Sequence, residues 1–119
     1  MFNDPTVQHL GRLDERIVQR AVLLVNQARG AGAPLYISSS VRTNDEQVLL
    51  VKAGLSTNLK SKHLYGLAFD VDVIGYGRNL VPYYFWAWLG PRGEALGLTW
   101  GGRWKNPYDP GHFELAMKV

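Results

Sequence analysis

Two short stretches of the chain bring histidine and acid together. One is Ser61-Lys62-His63-Leu64-Tyr65-Gly66-Leu67-Ala68-Phe69-Asp70; the other is Asp109-Pro110-Gly111-His112-Phe113-Glu114. His63 and Asp70 stand seven residues apart. On one helix that separation is about 10 Å along the axis, too far for both to reach one metal at about 2 Å. Gly66 offers a turn instead: His63 stays in a loop and the chain folds into a strand that carries Asp70. On that strand Asp70 and Asp72 point to one face, Phe69, Val71 and Val73 to the other. An acidic face on an otherwise apolar strand is costly without a cation to meet it. In the second stretch the central Pro-Gly predicts a type II turn, whose ends come within ~7 Å. Asp109 and His112 then face one point, and His112 and Glu114 share a strand face opposite Phe113 and Leu115.

Two histidines and one carboxylate, with a fourth position open, form the shell of a catalytic zinc ion. A nearby carboxylate that does not ligate must take the proton of the water held there. The turn places Asp109 for that task, and Glu114 ranks behind it as a reserve base. Asp72 reads as a partner for a histidine N–H or as a plain salt bridge. His9 has no acid at a telling spacing and reads as a surface residue.

The elements that must position these groups follow from periodicity. Leu10, Leu13, Ile17, Ala21 and Leu24 make one apolar stripe and predict a helix, with Asp14 and Glu15 near its start and Gly30 and Gly32 at its end. Leu35 to Ser38 is a short strand after Pro34. Thr43-Asn44-Asp45-Glu46 is a capping box that opens a helix over 44–53, stopped by Gly54. Ala68 to Ile74 is a strand. Pro82 opens a buried aromatic helix through Tyr83, Tyr84, Phe85, Trp86 and Trp88, which Gly90-Pro91 should kink or break before Leu96. Leu98 to Trp100 and Phe113 to Met117 are two more strands. Segregated helices and strands predict an α+β fold, a small antiparallel sheet packed with helices.

The chain has 119 residues, which predicts one domain over 1–119. With 46% hydrophobic and 19% charged residues it is a globular composition. Cysteine is absent, which excludes disulfides and every thiolate metal site. No apolar run is long enough for a membrane helix, and Met1 to Gln8 shows neither a basic start nor an apolar stretch, so no signal peptide is visible. The net charge of +3 comes from scattered bases without an arginine-rich arm. A mildly basic protein is drawn to polyanions such as nucleic acid, anionic lipid or bacterial cell wall, and the plainer reading is ordinary solubility charge.

Ser61-x-His63-x-x-Gly66-x-Ala68-x-Asp70, then Trp100-Gly101-Gly102-Arg103-Trp104, then Asp109-x-x-His112, resembles the zinc peptidases of the bacterial cell wall. These are the D-Ala-D-Ala carboxypeptidases and dipeptidases and the L-alanyl-D-glutamate endopeptidases. Arg42 and Gln47 are similar to that family's substrate-binding pair, and the resemblance runs from about Tyr36 to Leu115. It implies a Hedgehog/DD-peptidase fold, one zinc per chain on His63, Asp70 and His112, and Asp109 as general base. It implies Arg42 at a substrate carboxylate or the developing oxyanion, and Gln47 and Ser61 as peptide-bonding groups. Trp100 and Trp104, which flank the Gly-Gly, are candidates to line the cleft. The base position holds Asp where the family has Glu or Asp. Asp72 and the Gly90-Pro91 break lie outside the pattern.

The substrate implied is the stem peptide of peptidoglycan. The small size, the absence of a visible signal peptide and the Arg42/Gln47 spacing resemble phage endolysins with L-alanyl-D-glutamate endopeptidase activity. Such enzymes wait in the host cytoplasm until the membrane is opened. A D-Ala-D-Ala carboxypeptidase or dipeptidase is the alternative cut, and a non-catalytic wall-binding module the alternative class. A monomer is expected, with no nucleic-acid partner and no stable membrane association.

Overall fold

The apolar stripe that begins at Leu10 is divided between two helices. The computed structural model, which describes residues 6–40, 52, 66–76, 80–105 and 107–116, has α1 at Thr6–Leu10 and α2 at Glu15–Gly30. Asp14 makes the division. Its extended backbone stands at the N-cap of α2, and its carboxylate accepts from the Arg16 N–H at 2.8 Å. A side chain that satisfies one of the free N–H groups of a first turn starts a helix rather than continuing one. Ile17, Ala21, Leu24, Val25 and Ala28 of α2 are buried along one face. The helix ends at the expected glycines, with Gly32 in the left-handed region at φ 91°. The helix expected over 44–53 lies outside the described residues except for Lys52, which is helical.

Four strands form one antiparallel sheet: β1 (Leu35–Ser39), β2 (Ala68–Val73), β3 (Leu98–Trp100) and β4 (His112–Leu115), in the order β1-β2-β4-β3. The fold is α+β, as the segregation of elements predicts. Alternation along β2 turns Phe69, Val71 and Val73 inward, where they meet Leu35 and Ile37 of β1, Phe113 of β4 and the buried face of α2. Phe69 and Phe113 lie directly opposite each other, their rings stacked 5.8 Å apart. The other face of β2 carries Asp70 and Asp72, both half-buried. Gly66 makes the turn into β2. Its φ is 68°, and a Cβ there would lie 3.1 Å from the Arg12 carbonyl and the Asp14 nitrogen. The Asp14 N–H in turn bonds to the Gly66 carbonyl at 2.9 Å.

The expected break at Gly90-Pro91 does not occur: α3 runs without interruption from Tyr83 to Ala95. Pro91 removes the bond to the Ala87 carbonyl, but Ala87 and Pro91 share an exposed face, where water can take that carbonyl. Gly90 serves packing. A Cβ at Gly90 would come within 2.3 Å of the Trp100 ring, and one at Gly93 within 2.4 Å of the Phe113 ring. The two glycines let α3 sit against the sheet at close range. The aromatic segment is buried on one side only: Trp86 and Leu89 enter the core, while Tyr83 and Tyr84 are 70% and 77% exposed. Among the described residues no helix is long and apolar enough to cross a membrane.

Candidate metal centre

Asp70 and His112 are register partners across β2 and β4, Asp70 in the middle of its strand and His112 at the start of its own. Their side chains leave the sheet on the same face, and His112 Nδ1 lies 2.9 Å from Asp70 Oδ1. The chain reaches His112 through a turn over Asp109 to His112, closed by the His112 N–H on the Asp109 carbonyl at 3.2 Å. That turn carries Asp109 Oδ2 to 4.0 Å from the same Nδ1. One ligand atom each from Asp70, Asp109 and His112 lies within 4.8 Å of the others.

The turn is present, but it is not type II. A type II turn needs φ > 0 at its third residue, and Gly111 is not among the positive-φ glycines. Gly111 is required for a different reason: a Cβ there would lie 2.6 Å from the Val71 carbonyl. That carbonyl belongs to β2, far away in sequence. The Trp-Gly-Gly segment supports the turn from its other side. The Trp100 indole N–H donates to the Pro110 carbonyl at 2.7 Å, and the Asp109 N–H donates to the Gly101 carbonyl at 3.1 Å. A Cβ at Gly101 would fall 2.3 Å from the Asp109 carbonyl, so only glycine lets the two segments touch.

Trp100, a candidate to line the cleft, is therefore corrected to a core residue. It is 4% exposed and holds the turn through its N–H. Its neighbour in the motif, Trp104, is the one beside the site, with its ring centroid 5.0 Å from that of His112. His9 also departs from its surface reading: it is half-buried, with Nδ1 2.9 Å from the hydroxyl of fully buried Ser40. Arg42, Gln47, Ser61 and His63 lie outside the described residues.

Sequence reasoning does not single out the second ring nitrogen of His112. Nε2 lies 2.9 Å from Glu114 Oε1, so the carboxylate on the second ring nitrogen is that of Glu114. The alternation that puts residues 112 and 114 on one face is the available signal. His112 is 5% exposed. Burial pulls its pKa down, but hydrogen bonds to Asp70 and Glu114 and the charges of Asp70 and Asp109 outweigh it and hold the ring up at about 9. The cluster is thus a buried, negatively charged setting that favours a cation. The donors are two carboxylates and one imidazole nitrogen, a set suited to zinc and other divalent ions. A metal at Nδ1 takes the place of the proton there.

Residues 55–115 match the family model described as D-alanyl-D-alanine carboxypeptidase. The chain is also similar to the L-alanyl-D-glutamate peptidase of Listeria phage A118, 25% identical over 120 residues. That match covers 95% of this chain and 41% of the relative, so the chain spans about two-fifths of the relative's length. Among solved structures it resembles the L-Ala D-Glu endopeptidase ChiX of Serratia marcescens with a TM-score of 0.77 and 25% identity. Here 97% of this chain and 89% of that one are covered. The zinc-bound vancomycin resistance D,D-pentapeptidase VanY shares the fold, with a TM-score of 0.67 at 20% identity over 88% of this chain and 73% of that one. Since the matched span takes in more than half of the chain and contains Asp70, Asp109 and His112, the chain belongs to the D-alanyl-D-alanine carboxypeptidase family.

Proposed function

We propose that the chain is a zinc-dependent peptidase that cuts the stem peptide of bacterial peptidoglycan between L-alanine and D-glutamate. It acts as a monomer and as one catalytic domain over residues 1–119. The observation that carries the reading is the meeting of Asp70, Asp109 and His112 around one point, inside the span that matches the family. The choice of bond is supported by the two 25%-identical relatives, both L-alanyl-D-glutamate peptidases.

His63, Asp70 and His112 would hold the zinc, one ion per chain. When bound there it polarises the scissile carbonyl and brings the pKa of a coordinated water toward ~7. The protein's own groups do the rest. Asp109 accepts the proton of the attacking water and delivers it to the leaving amine. Exposure supports that division: the Asp109 side chain is 37% exposed and within reach of substrate, that of Asp70 only 14%. Arg42 grips a substrate carboxylate with its two-pronged guanidinium, with a smaller share in stabilising the oxyanion. Gln47 and Ser61 bond the peptide. The enzyme waits in the host cytoplasm and reaches the wall on release.

Digestion of purified peptidoglycan, with mass spectrometry of the fragments, tests the reading. The expected product carries a new amino terminus on D-glutamate. Free D-alanine without that terminus would assign the carboxypeptidase cut instead. Binding to the wall with no new termini would assign a non-catalytic module.

A further inference from the structure

Glu114 stands on the far side of the His112 ring from Asp70 and Asp109. Its Oε1 is 2.9 Å from Nε2, and its side chain is only 16% exposed, so water competes weakly for the bond. Both residues belong to β4, between β2 and β3, and Glu114 has Ala68 and Thr99 as its register partners. Ala68 is small enough to leave the carboxylate room. The Trp104 ring lies beside the imidazole, tilted to it, with centroids 5.0 Å apart. A neutral imidazole carries its proton on one nitrogen and its lone pair on the other, and the partner of the first decides which is which.

We infer that Glu114 is a positioning residue: it accepts a hydrogen bond from His112 Nε2–H and so keeps the Nδ1 lone pair turned toward Asp70 and the metal. The inference rests on the metal site proposed above. Asp70 and Asp109 lie on the Nδ1 side, so a ring turned over, or protonated at Nδ1, offers that side no donor. A carboxylate on Nε2 also makes the imidazole a stronger ligand. Glu114 thereby acts through His112.

Two measurements test this without turnover: zinc affinity by competition with a chromophoric chelator, and long-range proton–nitrogen NMR of the His112 ring in the zinc-loaded protein. The wild type should bind zinc tightly, with Nδ1 on the metal and the proton on Nε2. Glu114→Ala should lose about 10- to 100-fold in zinc affinity, and its Nε2–H signal should move and exchange faster with water. Glu114→Gln keeps an acceptor oxygen without the charge, so the loss should be smaller and the signal should move less. Wild-type affinity in Glu114→Ala, or a zinc-loaded wild type protonated at Nδ1, would overturn the inference and leave the peptidase reading standing. If the alanine variant does not fold, an unmoved Nε2–H signal in Glu114→Gln overturns it. A wild type that binds no zinc overturns both.

Discussion

Three carboxylates surround one imidazole, two on its Nδ1 side and one on its Nε2 side. Asp70 bonds Nδ1 and Glu114 bonds Nε2, both at 2.9 Å, while Asp109 waits 4.0 Å from Nδ1 on a half-buried turn. Asp109 is close enough to belong to a metal cluster on geometry alone, so its role needs a variant that separates ligand from base. Asp109→Asn keeps the shape and one acceptor oxygen but cannot hold a proton at neutral pH. It should retain wild-type zinc content and lose ~10²-fold or more in kcat. Metal analysis beside single-turnover kinetics checks this; loss of zinc along with activity would make Asp109 a ligand.

At the scale of elements, the site depends on how α2 and α3 hold the sheet. Asp14 caps α2 and its N–H fastens the Gly66 turn that leads into β2 and Asp70. Side-chain and backbone hydrogen bonds from Arg16 lower the Asp14 carboxyl to about 2. A carboxyl depressed in the folded state stabilises above its ordinary pKa near ~4 and loses that contribution as pH falls toward ~2. Asp14→Asn, which can cap but not titrate, should therefore have a lower Tm than the wild type at pH ~6, with the gap closing by pH ~2. A gap that persists unchanged in acid would show that the Arg16 contacts do not stabilise the fold. On α3 the close seat at Phe113 gives a second test. Alanine in a helix normally gains up to ~1 kcal/mol over glycine, but at Gly93 the Cβ would overlap the Phe113 ring at 2.4 Å. Overpacking of that kind costs ~1–3 kcal/mol. Gly93→Ala should lower stability in urea unfolding, whereas Gly30→Ala, with open space around it in α2, should hold or raise it.

Over the whole molecule, charge is divided unevenly between the site face and the rest. Asp70, Asp72, Asp109 and Glu114 are four of the ten acids, and the remaining six oppose thirteen bases. Among the described residues, the acids outside that group are Asp14, Glu15 and Glu94, set against the bases Arg12, Arg16, Arg20, Arg29, Lys52, Arg92, Arg103 and Lys105, so the described surface away from the site is net basic. Attraction of exposed charges to an anionic wall is screened as the Debye length shrinks from ~30 Å at 0.01 M salt to ~8 Å at physiological strength. Turbidity clearing of isolated cell walls should slow over that range, while cleavage of a short soluble stem peptide should change little. Equal salt dependence of the two would place the effect on the chemistry rather than on wall attraction.

What is legible in the sequence is what neighbouring residues decide among themselves. Alternation along 68–73 and 112–115 fixes which side chains share a face, so spacing alone puts His112 beside Glu114 and sets Asp70 opposite the apolar side of its strand. Gly66 announces its turn because a left-handed backbone favours glycine. The family is written in three spaced motifs, and the matched span carries them. The tertiary structure decides everything that depends on a partner far away in the chain. Gly111 is glycine for the Val71 carbonyl and not for a type II turn. Trp100 turns inward because Gly90 makes room for its ring and Pro110 takes its N–H. Pro91 stays in a continuous helix because its face of α3 is solvated. Glu114 meets Nε2 because Asp70, across the sheet, already holds Nδ1. Local spacing determines which way a side chain points; which atom it meets is settled by packing between segments that the sequence keeps apart.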